Sequence, residues 1–153
     1  MDTAGVHLLV AAGVFSAGVS LLHAAIIFAG GPAYRYFGAG ERMARMAERG
    51  ASEPIFITVV LVLIFAIWAA YAFAGAGLIP RLPRLRTVLL LIGLIYAGRG
   101  LAAFPQAYFW LSAGSAGVPL RHVAFSAASL AGGLTYLVGT FQAWPRLVAA
   151  EQR

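Results

Sequence analysis

The chain has 153 residues, 61% hydrophobic and 10% charged, with a formal net charge of +6. A soluble domain carries about a quarter charged residues, so this composition points to a polytopic membrane protein, a single membrane domain over 1–153. Absence of cysteine excludes disulfides and thiolate metal sites, and absence of lysine excludes Schiff-base chemistry on that side chain.

The basic residues are all arginine and lie in short segments between apolar runs, which fits lipid head groups and membrane topology and argues against nucleic acid as a partner. The first apolar run, 5–29, is long enough to span a bilayer. It has no basic n-region, so it reads as a retained helix rather than a signal peptide. Gly30, Gly31 and Pro32 are expected to end it.

The segment 40–50 pairs Glu41 with Arg45 at i,i+4 and places Met43, Met46 and Ala47 on the other side. A short amphipathic helix follows, lying at the interface or capping the bundle. Ser52-Glu53-Pro54 is a helix start signal and opens the second span, 54–78. A tight basic turn, Pro80 to Arg86, leads to the third span, 87–104, which Pro105 is expected to kink or stop. Tyr108, Phe109 and Trp110 then form an aromatic group suited to the head-group level. A flexible turn over 112–117 precedes the fourth span, 120–143, and Trp144-Pro145-Arg146 closes it before a short polar tail.

The expected fold is all-α: a four-transmembrane-helix up-down bundle with the amphipathic helix between helices 1 and 2. Both termini then share a face with the basic turn. Arginines nearly tie between faces, with Arg81, Arg84, Arg86, Arg146 and Arg153 against Arg35, Arg42, Arg45, Arg49 and Arg121. The three crowded into the turn favour cytoplasmic termini.

Polar residues align within the spans. His122, Ser126, Ser129, Gly133, Tyr136 and Thr140 share one face of the fourth, and in a chain this apolar that face should point toward other helices. Gly13, Ser16, Ser20 and His23 form a matching line on the first, predicting a close seam between spans one and four with Gly13 opposite Gly133. Tyr96, Arg99, Ala103 and Gln106 line one face of the third.

His23, Glu53, Tyr96, Arg99, Gln106 and His122 all fall toward one membrane face, where they form a candidate ligand-binding half-pocket under the 40–50 helix. The competing reading has Arg99 snorkelling to head groups and Glu53 serving as a first-turn acid. His23 and His122, one on each of two helices, also suit the axial ligands of a haem b. A small-residue seam leaves no slot for a haem, however, and interhelical hydrogen bonds are the plainer role. Ser126 and His122 lack a third, orienting group, so no catalytic residue is assigned.

Residues 34–50, Tyr-Arg-Tyr-Phe-Gly-Ala-Gly-Glu-Arg-Met-Ala-Arg-Met-Ala-Glu-Arg-Gly, resemble a segment of small four-helix bacterial integral membrane proteins of uncharacterised role. The likeness extends through 71–77 and 139–144. It implies a multi-pass protein of the bacterial inner membrane and carries over no activity, substrate or catalytic residue.

The leading expectation is a non-enzymatic membrane protein that binds a lipid-like apolar ligand or a partner membrane subunit, with membrane lipids around it. The alternatives are a haem b redox protein using His23 and His122, an oligomeric transporter or channel, and a lipid-modifying enzyme.

Overall fold

A computed structural model describes residues 3–114 and 118–151, the side chains of 150 and 151 excepted. Part of the turn expected over 112–117 lies outside the described residues, as does Arg153. Long apolar runs satisfy their backbone polar groups internally as helices. The described chain accordingly consists of α1 (Thr3–Ala29), α2 (Gly31–Tyr36), α3 (Glu41–Glu48), α4 (Glu53–Ala76), α5 (Leu85–Gly100), α6 (Ala103–Ala113), α7 (Leu120–Gln142) and α8 (Trp144–Glu151). Among the described residues there are no strands.

Four stretches are long and apolar enough to cross a membrane, as in a multi-pass membrane protein: Thr3–Ala29, Glu53–Ala76, Leu85–Ala113 and Leu120–Gln142. Three match the expected spans closely; the third does not. Its helix α5 has 16 residues, or about 24 Å at 1.5 Å per residue. That is short of a hydrocarbon core about 30 Å thick, and the apolar run reaches a spanning length only by continuing through α6.

Pro105 interrupts the third span as expected, but one turn ahead of its own position. The break falls at Leu101 and Ala102, and Pro105 sits in the first turn of α6. Proline has no N–H to donate to the carbonyl four residues back and crowds that carbonyl. The Leu101 carbonyl accepts from Phe104 N at 3.2 Å instead, and Ala102 N donates to Arg99 O at 3.4 Å, both tightened i→i+3 bonds. Pro32 and Pro145 likewise fall in the first turns of α2 and α8, two short helices not expected from the sequence.

By contacts the chain forms two compact units, one made of residues 1–14 and 70–153, the other of 15–69. In the first unit α5 packs antiparallel on α7. Gly93 lies against Tyr136 and Leu137, Gly133 against the Ala97 backbone, and Gly100 against the Leu130 backbone. This is close approach through small residues, the device by which helices associate where lipid supplies no hydrophobic drive.

Gly133 thus belongs to a seam with α5, and Gly13 meets the Phe73 ring on α4, which corrects the expected pairing of these two glycines. Helices α1 and α7 are still neighbours. Gly5 abuts Gln142 and Ala143, and a Cβ on Gly139 would lie 3.0 Å from Leu8 Cβ, close to the expected antiparallel register.

The aligned face of α7 is buried at Ser126, Gly133, Tyr136 and Thr140. Its apolar side is open, with Leu134 50%, Val138 44% and Phe141 62% exposed, the reverse of a helix that faces water. Buried Thr140 satisfies its hydroxyl by donating to Tyr136 O at 2.7 Å.

In the basic turn, Tyr71 donates its hydroxyl to Pro83 O at 3.2 Å. Arg84 then takes a left-handed conformation, φ 51° and ψ 35°, which costs a non-glycine residue about 1 kcal/mol. The reversal brings Leu85 into the core at 2% exposure.

In the second unit, Ser20 on α1 donates to Val62 O on α4 at 2.8 Å. Ile26, Tyr34 and Ala44 form a small core with Phe37 and Met43 packed on it, joining α1, α2 and α3. The Tyr34 hydroxyl reaches the first turns of α4, 3.1 Å from Pro54 O and 3.0 Å from Thr58 Oγ1.

Candidate functional site

The six expected site residues divide between the units: Tyr96, Arg99, Gln106 and His122 in the first, His23 and Glu53 in the second. In the first unit the face proposed for the third span does not form as one helix, because the break at Leu101 separates Tyr96 and Arg99 from Gln106. Tyr96 is 4% exposed and stacks on Tyr136 with ring centroids 5.9 Å apart, a packing role. Arg99 is exposed in the last turn of α5, where a cation is favoured by the helix dipole and the long side chain can snorkel. Gln106 buries its Oε1 with no hydrogen-bond partner among the described residues. His122 is half-buried in the first turn of α7, its backbone N–H donating to Pro119 O at 2.9 Å.

In the second unit, His23 Nδ1 lies 2.8 Å from Val19 O, one turn back on its own helix. Its ring lies 4.9 Å from that of Phe65. The carbonyl can only accept, so Nδ1 donates to it. In place of the interhelical hydrogen bond expected for this histidine, the bond is made within α1.

Glu53 opens onto a cleft of about 820 Å³ between α3 and the start of α4. Arg42, Met43 and Met46 line it from α3, Glu53, Phe56 and Ile57 from α4, and Ala39 and Ser52 from the adjoining turns. Only Glu53 of these was singled out as a site residue from the sequence. The signal was present: Met43 and Met46 are three apart, and Phe56 and Ile57 follow Glu53 by three and four, so each set shares one helix face.

Arg35 organises the polar side of α3. Its Nε lies 2.7 Å from Glu41 Oε2 and its Nη2 2.9 Å from Glu48 Oε2, while Arg45 Nε holds Glu41 Oε1 at 2.9 Å, the expected i,i+4 pair. Hydrogen bonds from Arg35, and then Arg45, lower the Glu41 carboxyl from 4.5 to about 2. Those from Arg35 also hold Glu48 below its ordinary value. A depressed carboxylate contributes stability that is complete above its unfolded value and fades as pH falls through the folded one. The α2–α3 pairing is therefore expected to persist through pH 4.5 and weaken toward pH 2. Carboxyl-detected NMR of Glu41 should show a midpoint near 2 at low salt, moving up toward the ordinary value in about 1 M salt, where charges are screened within about 3 Å. A midpoint at the ordinary value in low salt would show that these pairs do not form.

Among the described residues no group of three histidines or acids could hold a metal ion. What the α3–α4 cleft offers is one guanidinium, one carboxylate and one hydroxyl beside an apolar wall, a set suited to holding a polar head with a chain attached. No protein-family model matches the chain, and no curated protein or solved structure matches it either.

Proposed function

We propose that this is a multi-pass integral membrane protein, an up-down bundle of four spans, that binds an amphipathic, lipid-like ligand without transforming it. The observation carrying this is the α3–α4 cleft. Arg42, Ser52 and Glu53 would hold the head, and Met43, Met46, Phe56 and Ile57 the first part of the chain. Methionines give such a wall adaptability to irregular apolar shapes. Insertion in the bilayer is supported by the reversed polarity of α7, with Ser126 and Thr140 buried and Leu134, Val138 and Phe141 exposed. The arginines at 81, 84 and 86 favour a topology with cytoplasmic termini.

The test is native mass spectrometry of the protein purified in mild detergent. A retained lipid-sized adduct is expected, and Met46→Ala with Phe56→Ala should lower its occupancy at least tenfold, since each removed apolar contact is worth about 1.5–3 kcal/mol when fully buried. Glu53→Gln should shift head-group preference more than total occupancy. Adduct levels unchanged in the double variant would sink the reading. A second copy of the chain or another subunit retained in place of the lipid would replace it with an interface.

A further inference from the structure

We infer that the head group held in the α3–α4 cleft is zwitterionic, a phosphodiester carrying a primary amine, as in phosphatidylethanolamine. This rests on the reading of the cleft as a lipid site and names which lipid it takes.

Opposite charges face the cleft from its two sides, Arg42 from α3 and Glu53 from the first turn of α4. Among the described residues they form no ion pair with one another or with any other side chain. The carboxylates of α3 are already used, Glu41 by Arg35 and Arg45, and Glu48 by Arg35. Arg42 and Glu53 thus set one cation and one anion in a single cleft, both open to solvent. A ligand of one charge would meet one of them and be repelled by the other. A head with both charges satisfies both, its phosphate on the Arg42 guanidinium and its ammonium on the Glu53 carboxylate. Ser52, also lining the cleft, adds a hydroxyl able to donate to the same phosphate.

The nitrogen is a primary amine rather than a quaternary one. A carboxylate accepts hydrogen bonds, and a primary ammonium has N–H groups to donate where a trimethylammonium has none. Quaternary ammonium is recognised by cages of aromatic rings, and Phe56 is the one aromatic among the residues that line this cleft.

The amine arrives on a lipid. Phe56 on the cleft wall begins a stripe of α4 that continues through Val60, Leu63 and Ile67, at steps of four, three and four, so all share one helix face. Each of these side chains is exposed. The stripe leads away from the cleft for about 16 Å, at 1.5 Å per residue, a path for the acyl chain of a lipid whose head is held between Arg42 and Glu53.

The experiment uses the full chain in mild detergent, offered phosphatidylethanolamine, its N-acetylated form, phosphatidylglycerol and phosphatidylcholine in equal amounts, with bound lipid read by native mass spectrometry. Phosphatidylethanolamine is expected to exceed the N-acetylated and glycerol lipids about fivefold, the upper value for an ion pair open to solvent. Phosphatidylcholine, which keeps the charge but has no N–H, should fall between. Glu53→Gln should bring the ethanolamine and glycerol lipids to parity. Arg42→Gln should lower both about fivefold and leave their ratio in place. The N-acetylated comparison needs no variant, so it decides the point even where Glu53→Gln fails to fold. Equal binding of phosphatidylethanolamine and its N-acetylated form, or an undiminished preference in Glu53→Gln, would overturn the zwitterionic head while leaving lipid retention, and the reading beneath it, intact. Phosphatidylcholine bound as well as phosphatidylethanolamine would overturn the primary amine. Loss of every lipid adduct from the wild type would overturn both readings, and displacement of the lipid by millimolar phosphoethanolamine would overturn the lipid as the source of the head.

Discussion

Gly133→Ala is expected to destabilise the protein by about 3 kcal/mol, the upper part of the usual range for overpacking. A Cβ at this position would meet Ala97 N, Ala97 Cα and the Gly93 carbonyl oxygen, all of them backbone atoms. No rotamer change can relieve that clash, so α5 and α7 must move apart along their length. Gly100→Ala should behave alike, since its Cβ would meet the backbone of Leu130. Gly98 provides the control on the same helix. Nothing lies within 4 Å of a Cβ there, and alanine should gain up to about 1 kcal/mol of helix propensity. Unfolding in detergent by a graded denaturant would compare the three. Near-equal stability of Gly133→Ala and Gly98→Ala would mean that the α5 and α7 backbones do not touch.

Much of the architecture could be read from residues because it depends on long-range averages. Four apolar runs of spanning length survive any error at their edges, and the aligned residues of α7 follow from a period of 3.6 alone. The two failures have specific causes. The preceding helices do end ahead of Pro32, Pro105 and Pro145 as expected, but each proline also sits in the first turn of a new helix, as Pro54 does, and those new helices were not foreseen. A proline is compatible with both readings, and only the partners of its neighbours' backbone groups decide between them. The seam failed for a different reason. Small residues mark helix faces that can come close but do not name the partner. Gly133 suits a close approach by α1 or α5, and Gly93 and Gly100 on α5 supplied the better-fitting surface. The candidate site was least legible, because its α3 wall came from residues that periodicity alone files as the apolar side of a surface helix.

That wall is also what the second large effect would remove. Tyr34 is 2% exposed, and its ring packs with Ile26 and Ala44 in the small core that carries α3. Truncating a buried aromatic to alanine costs about 3–5 kcal/mol. In a core this small nothing is left to collapse around the void, so Tyr34→Ala should free α2 and α3 rather than merely loosen them. Tyr34→Phe should cost only about 1 kcal/mol, the net value of a hydrogen bond. Thr58 still donates to Pro54 O at 2.7 Å, so the loss of the tyrosine hydroxyl leaves that acceptor satisfied. Limited trypsin digestion reads the difference directly, because Arg42, Arg45 and Arg49 lie in and just after α3. The alanine variant should be cut there early, while the wild type and Tyr34→Phe resist. Equal resistance in the alanine variant would show that α3 is held by something other than this core. The same substitution should also abolish ligand retention, since Arg42, Met43 and Met46 reach the cleft only while α3 is docked. Phe56→Ala, by contrast, should lower retention without exposing α3 to the protease. Agreement of cleavage and ligand loss in the first variant, and their separation in the second, would tie binding to the docked position of α3.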